Sequence, residues 1–594
     1  MVSIVRWFVR LLLVPGVLLS VSGLPAGVPV VGPAPARISS AAMGTTANGE
    51  TADVLVVLER QADLDALDAN LPRESRGQAV YERLWRTAQT SQRSLRAWLA
   101  SRGVAYRSFY IVNALLVRVD RELLLALGAR SDVSRVMTNP AVAGELAVAP
   151  VEGEAQPTLA AMSVPWGVQR IGAPAAWALG YRGEGVVVAG QDTGYNWAHP
   201  ALQPQYRGWN GSVADHDYNW HDAIHTAGSL CPADSPEPCD DNGHGTHTMG
   251  TIVGDDGVSD PIGVAPGARW IGCRNMRQGV GTPASYAECF EFFLAPYPVG
   301  GNPAQGDPAQ APHVINNSWS CPISEGCDAM HIAFLEQVVD AVRAAGIVVV
   351  SAAGNLGPAC GTVSEPPGMY DGAYSVGALD AMGMVASFSS RGTGTSLIKP
   401  DIVAPGVGVY SAWLGTGYQT TSGTSMAAPH VAGAVALVGS ARPELLGQVD
   451  ALERVLDATA AARTSAECGD AADAVPNSVY GWGQLDALAA VTAVWGRLEG
   501  IVRDQEGVSL TGVRVQAEPA QGPVWSTVTG TGGVYALPVL TGSYTLTVSP
   551  SGYLPVTYGG ITISADLTTT VDITLTVAIE LYLPLFYAAG AALP

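Results

Sequence analysis

Residues 185–194 read GVVVAGQDTG, an unbroken apolar run that ends in a glycine-rich turn carrying Asp192. A short run that is apolar on both faces suits a strand buried inside a sheet. The same signature returns at 269–273 (RWIGC), 313–320 (HVINNSWS), 346–355 (GIVVVSAAGN) and 373–379 (AYSVGAL), with helical stretches such as Ala329 to Ala345 between them. Strands alternating with helices over 164–490 predict an α/β domain of layered architecture with a largely parallel sheet, whose chemistry gathers at the strand ends.

The composition changes on either side of this block. Downstream, short alternating strands (GVRVQAEP, STVTGTGGVYAL, GSYTLTVSPSGY) separated by glycine turns predict a small β-sandwich over 497–577, followed by an apolar tail, 578–594, broken by proline. Upstream, VLVVL, an arginine-rich helical stretch from Arg76 to Leu99, SFYIVNALLVRV, RELLLALGA and VSRVM read as strand, helix, strand, helix, strand, a small α+β domain over 52–139. Residues 140–163, rich in Ala, Val, Glu and Pro, have no periodicity and read as an exposed linker. At the start, Arg6 and Arg10 precede the apolar run Leu11 to Leu19, and Ala34-Pro35-Ala36 offers a cleavage site, so 1–36 reads as a secretory signal and the product as extracellular. No stretch is long and apolar enough to predict a membrane span.

The 594 residues carry a net charge of −21, with 48% apolar and 14% charged side chains, 69 Gly and 40 Pro, which excludes a coiled coil and a charged disordered chain. A basic footprint for nucleic acid is missing, and Lys399 is the one lysine. The charge is unevenly placed, about +2 on 1–162 and about −23 on the rest, so the two parts attract. All 8 cysteines lie between 231 and 468, an even count that fits disulfides in an oxidising compartment, with the close neighbours Cys231/Cys239 and Cys321/Cys327 the expected pairs.

Three glycine-rich segments each present one reactive group: Asp192 in VVVAGQDTG, His244 in DDNGHGTHTMGTI and Ser425 in TSGTSMAAPHVAG. An acid, an imidazole and a hydroxyl are what acyl transfer needs, because serine is a weak nucleophile until a neutral imidazole takes its proton and a carboxylate holds that ring in the right tautomer. His247 reads as a buried structural histidine, and an HGTH pair alone is a weak metal signal. Ser425 opens a helical run, where backbone N–H groups favour an oxyanion, and Asn355, after another apolar strand, adds a side-chain amide donor.

At these segments the chain resembles the subtilases, the subtilisin-like serine proteases, and the order Asp, His, Ser matches theirs. The likeness runs from about Val164 to Ala490, includes VPWGVQRIGAPAAW, FSSRG and KPDIVAPG, and is nearest the bacillopeptidase F-like branch. The resemblance implies that Asp192 orients His244, that His244 is general base and acid, that Ser425 is the nucleophile and that Asn355 is the oxyanion donor. It implies protein or peptide substrates, no cofactor for the chemistry, and a self-processed zymogen in which 52–139 is an inhibitor-type propeptide. Residues 497–577 resemble the carboxypeptidase regulatory-like domain, which implies a fold and not a function.

The resemblance also implies that Ser318-Trp319-Ser320 and Ala352-Ala353-Gly354 line the pocket for the residue before the scissile bond and pair with substrate backbone. Trp319 at the rim would favour broad, apolar or aromatic substrates; its alternative is a core tryptophan. Glu365 aligns near the pocket base, where a carboxylate selects Arg or Lys, yet no Lys or Arg occurs between Arg135 and Arg170. GDDGVSD offers Asp255, Asp256 and Asp260 as ligands for a structural calcium, with an ordinary acidic loop as the alternative. The competing readings are a non-catalytic extracellular binding or adhesion protein, and a narrow processing protease whose insertion 290–311 fences the cleft.

Overall fold

The computed structural model describes residues 37–65, 67–68, 71–143, 164–258 and 261–578. The signal segment, most of the linker, Asp260 and nearly all of the apolar tail lie outside the described residues.

The N-terminal domain comprises α1 (Ser40–Thr45), β1 (Ala52–Leu58), α2 (Arg73–Ser91), α3 (Arg93–Ala100), β2 (Tyr106–Phe109), β3 (Ala114–Val119), α4 (Arg121–Gly128) and β4 (Val133–Thr138). Its four strands form an antiparallel sheet in the order β2-β3-β1-β4. The expected second strand and first helix are each two elements. The amide of Gln92, at the α2/α3 junction, reaches Phe109 O at 2.8 Å and Asn113 Oδ1 at 2.9 Å, which fixes both the helix break and the turn at 110–113.

In the central domain α5 (Trp166–Arg170) and α6 (Ala173–Ala178) lead into β5 (Val187–Asp192), β6 (Trp220–Asp222), α7 (His244–Val253), β7 (Arg269–Arg274), the short pair β8 (Met276–Arg277) and β9 (Val280–Gly281), and α8 (Pro283–Leu294). There follow β10 (Val314–Asn317), α9 (Ala329–Ala344), β11 (Val348–Ala352), β12 (Tyr374–Leu379), β13 (Ile402–Pro405), the hairpin β14 (Val409–Ala412) and β15 (Tyr418–Thr421), α10 (Thr424–Ala441), α11 (Val449–Thr459) and α12 (Ala487–Thr492). Seven strands run parallel in the order β13-β12-β11-β10-β5-β7-β6. β11 is buried from Val348 to Ser351, as its apolar run predicts, and the apolar helix α10 packs beneath the sheet. This is the expected α/β fold, with a small α+β domain before it and a β-sandwich after it.

The sandwich starts at β16 (Trp495–Asp504), and its two sheets alternate buried and exposed residues as half-buried strands do. It shares a hydrophobic core with the central domain, where Trp495 meets Trp525 edge to face at 5.6 Å. Four disulfides join Cys231–Cys239, Cys273–Cys289, Cys321–Cys327 and Cys360–Cys468. Lys399 is 1% exposed and donates to Ala373 O at 2.7 Å and to Asp401 Oδ2 at 2.6 Å, tying β13 to the start of β12.

The N-terminal domain covers α8 and α9. Leu55, Val57, Val80, Tyr81 and Leu84 enter the same core as Phe290, Phe292 and Phe334, and each such burial is worth roughly 1.5–3 kcal/mol. The insertion 290–311 therefore packs under this domain, with Tyr81 Oη donating to Pro303 O at 2.9 Å, rather than fencing the cleft. The strand exiting the domain is also held. Ala284 N donates to Asn139 Oδ1, and Val142 exchanges both backbone hydrogen bonds with Gly281 at 2.8 and 2.9 Å. Val142 is fully buried between the exposed Ala141 and Ala143, and residues 144–163 lie outside the described residues.

Candidate active site

Asp192 ends β5, where the parallel ladder to β7 fixes its backbone. Its Oδ1 lies 2.7 Å from His244 Nδ1, with Asp192 1% and His244 2% exposed, and Thr193 N donates to the same oxygen. His244 is the first residue of α7. Gly243 before it has φ 104°, where a side chain would strike the Trp413 ring, and a Cβ on Gly245 would meet Gly194 O at 2.1 Å.

Sequence reasoning missed the residue that builds this corner. Asp240, fully buried, accepts from Thr193 Oγ1, from the backbone N–H groups of Asn242, Gly243 and Thr246, and from Thr246 Oγ1 at 2.6–3.0 Å. Burial pushes its carboxyl above the ordinary range against those hydrogen bonds. A chain of amides also runs across the strand ends, from Asn275 to Gln191 to Asn317 and on to Val350 O.

Ser425 lies in the first turn of α10, which packs directly against α7. Its Oγ donates to Ser318 O at 3.3 Å, and Ser318 Oγ donates to Ser425 O at 2.9 Å, locking the nucleophile candidate to the end of β10. Asn355 follows β11. Its Oδ1 accepts from Thr424 N and Thr424 Oγ1, both at 2.9 Å, so the amide is oriented with its N–H donors on the opposite side. Asn355 and Ser425 line one cavity of about 110 Å³ with Trp319, Ser320, Ala352, Gly354 and Glu365. Glu325, which the sequence did not single out, lines it too, carried on a turn that the Cys321–Cys327 disulfide closes.

The remaining candidates separate. Trp319 is 3% exposed and stacked on Tyr286 at 3.9 Å, so its ring is core as well as wall. Ala353 N donates to Val376 O within the sheet. His247 is buried with Nε2 facing Val409 O at 3.0 Å, and burial lowers its pKa to about 3, which suits a neutral structural ring. Asp255 pairs with Arg182 at 3.3 Å and caps Gly257 N, while Asp256 caps Val258 N. Both carboxylates accept from backbone N–H groups of their own loop, and among the described residues no group of three or more His, Cys, Asp or Glu could hold a metal. Asp260, the third carboxylate of GDDGVSD, lies outside the described residues.

A second cavity, about 570 Å³, lies where the N-terminal domain meets α8. Arg107 contacts Glu288 Oε2, which also faces His225 Nε2 at 3.1 Å, while Glu288 Oε1 faces His221 Nε2 at 2.8 Å. Burial would raise the Glu288 carboxyl, but Arg107 and the two imidazoles hold it well below the usual range. Glu291 accepts from Tyr110 N at 2.6 Å and Ile111 N at 3.1 Å, yet burial still pushes it up to about 8.

Residues 183–483 match the subtilase family, and 497–576 match the carboxypeptidase regulatory-like domain. Bacillopeptidase F of Bacillus subtilis (strain 168) is 37% identical over 447 residues, 71% of this chain and 29% of that protein. An alkaline protease of Alkalihalobacillus alcalophilus is 37% identical over 298 residues, 50% of this chain and 65% of that protein. Subtilisin Savinase of Lederbergia lenta is 38% identical over 284 residues, 48% of this chain and 87% of that protein. The chain thus spans less than a third of the length of bacillopeptidase F.

Proposed function

The chain belongs to the subtilase family, and on that premise we propose that it is a secreted serine endopeptidase, made as a zymogen, that cleaves extended protein segments through an acyl-enzyme. The observation that carries the proposal is the buried Asp192–His244 pair set against the helix whose first turn holds Ser425. In this mechanism Ser425 Oγ attacks the scissile carbonyl while His244 Nε2 takes its proton. Asp192, on Nδ1, holds the tautomer that leaves Nε2 basic and stabilises the imidazolium that forms. The Asn355 amide donates to the oxyanion. His244 then protonates the leaving amine, and water returns along the same path to release the acyl group. No metal or cofactor enters these steps.

The zymogen reading is supported by the exit strand of the N-terminal domain. Val142 is added to β9 as a substrate strand would be, and Ala143 N donates to Glu325 Oε2 at 2.6 Å on the cavity wall. Export is supported by the four disulfides and the signal-like start. No helix among the described residues is long and apolar enough to cross a membrane. The test compares wild type with Ser425→Ala by intact mass and casein hydrolysis. Loss of the first 140 to 163 residues with casein digestion in the wild type alone supports the proposal; equal, inert, full-length chains from both would sink it.

A further inference from the structure

The hydrogen bonds that Asp240 receives come from neighbours of Asp192 and His244 rather than from that pair itself. Oδ1 takes the Thr193 hydroxyl at 2.9 Å, Asn242 N at 3.0 Å and Gly243 N at 2.8 Å, and Oδ2 takes Thr246 N at 3.0 Å and the Thr246 hydroxyl at 2.6 Å. Each hydroxyl also accepts, and each reaches across to the other segment. Thr193 Oγ1, next to Asp192, accepts at 3.0 Å from the N–H of Gly245, next to His244. Thr246 Oγ1, in the first turn of α7, accepts at 2.9 Å from the N–H of Asn196, in the loop that leaves β5. Two crossed relays therefore converge on one buried carboxylate. A hydroxyl rotates until an acceptor claims its proton, so the carboxylate turns the lone pairs of both threonines toward those N–H groups. All of its partners donate, which suits an acceptor-only, ionised side chain. Capping α7 accounts for the bonds from the helix N–H groups. It does not account for the bond to Thr193, which lies on the other segment.

We infer that Asp240 is a positioning residue for acyl transfer: as an anion it sets, through Thr193 and Thr246, the alignment of the Asp192 carboxylate with the His244 ring. The inference rests on the reading of Asp192, His244 and Ser425 as the reacting set. Thr193 is the point of leverage, since its N–H donates to Asp192 Oδ1, the same oxygen that faces His244 Nδ1 at 2.7 Å. When the Thr193 hydroxyl turns away from Gly245 N, the backbone beside Asp192 is released from α7 and the shared oxygen moves with it. A misplacement of about 1 Å costs on the order of 10² in rate. Substrate binding is made elsewhere in the cleft and is little changed. The loop that carries Asp240 is itself anchored. The residue before it closes the Cys231–Cys239 disulfide, and Gly194, with φ 107°, approaches Cys239 O so closely that a side chain has no room.

The test compares wild type, Asp240→Asn, Thr193→Val and Thr193→Ser, each as the full-length chain after its linker has been cut. Intact nucleophiles are counted with a fluorophosphonate probe, so kcat is expressed per reactive site and unfolded molecules drop out. Asp240→Asn, which replaces an acceptor by an amide donor, is expected to lose about 10² in kcat with KM within about threefold of wild type. Thr193→Val is expected to lose about tenfold in kcat, and Thr193→Ser, which keeps the hydroxyl, to stay within about twofold of wild type. The downfield proton resonance of the Nδ1–H between His244 and Asp192 should shift or broaden in Asp240→Asn and Thr193→Val and hold in Thr193→Ser. A folded Asp240→Asn with wild-type kcat per site overturns the inference and leaves the protease reading standing. Equal losses in Thr193→Val and Thr193→Ser overturn it as well, because the hydroxyl is then not the link. Where circular dichroism shows Asp240→Asn unfolded, the two Thr193 variants decide. Wild type that neither labels nor hydrolyses overturns the protease reading and this inference with it.

Discussion

Asp192 Oδ1 and His244 Nδ1 meet at 2.7 Å across 52 residues of chain, both side chains nearly sealed from solvent. The contact commits the ring proton to Nδ1 and leaves Nε2 as the basic nitrogen. Asp192→Asn keeps the shape but offers an amide that favours the other tautomer, so kcat should fall by about 10⁴ with KM little changed. Steady-state kinetics on a peptide substrate, with circular dichroism to show an intact fold, checks this.

Asn355 is oriented by Thr424 through two hydrogen bonds to Oδ1. Removing the amide in Asn355→Ala deletes the proposed oxyanion donor without touching the Asp192–His244 pair. The expected outcome is a loss of about 10² to 10³ in kcat, with fluorophosphonate labelling slowed but still detectable.

At the domain interface Arg107 is the cation that balances the buried Glu288. Arg107→Ala leaves that carboxylate with only the two imidazoles, a change of the kind that costs about 3–5 kcal/mol when a buried pair is broken. The N-terminal domain should dissociate more readily from a Ser425→Ala chain cut in the linker, measurable by size-exclusion chromatography at pH 8.

Glu291 gives the same interface a pH dependence. Its carboxyl is pushed up to about 8 in the closed state, against about 4.3 for a solvated glutamate. A raised acid pKa contributes stability that is complete below the solvated value and is lost as pH rises through the closed-state value. His225, raised by its hydrogen bonds to Glu288 in spite of burial, acts in the same direction. Glu288, held low with Arg107 beside it, loses its contribution only in strong acid. Retention of the cut N-terminal domain should therefore fall between about pH 4 and about pH 8, and Glu291→Gln, which keeps an acceptor for Tyr110 and Ile111, should flatten that fall. A wild-type retention that rises with pH would contradict the assignment.

The sequence exposes what depends on local pattern. Val348 to Ser351 read as a buried strand because their apolar run has no polar face, and His244 stood out because glycines flank it. Asp240 was illegible for the opposite reason: its partners are backbone N–H groups of its own loop and of the first turn of α7 and the hydroxyls of Thr193 and Thr246, none of which leaves a residue-type signature. Glu325 looked like a surface acid in a small loop, and only the fold brings it to the cavity that holds Glu365. Trp319 carries both its weighed roles, since the plane that stacks on Tyr286 also backs the cavity wall. Packing across 33 residues of chain is not written in either segment.

Lys399 has a consequence for handling the protein. The only lysine of 594 residues is enclosed between Ala373 O and the Asp401 carboxylate, so the folded molecule presents no side-chain amine to solvent. Reagents that acylate or condense with amines, from succinimidyl esters and glutaraldehyde to reducing sugars, find only the α-amino group at the chain start. Such an ester should add one label per folded chain, and a second only when denaturant opens the sheet. Attachment to a support has to go through the carboxylates instead.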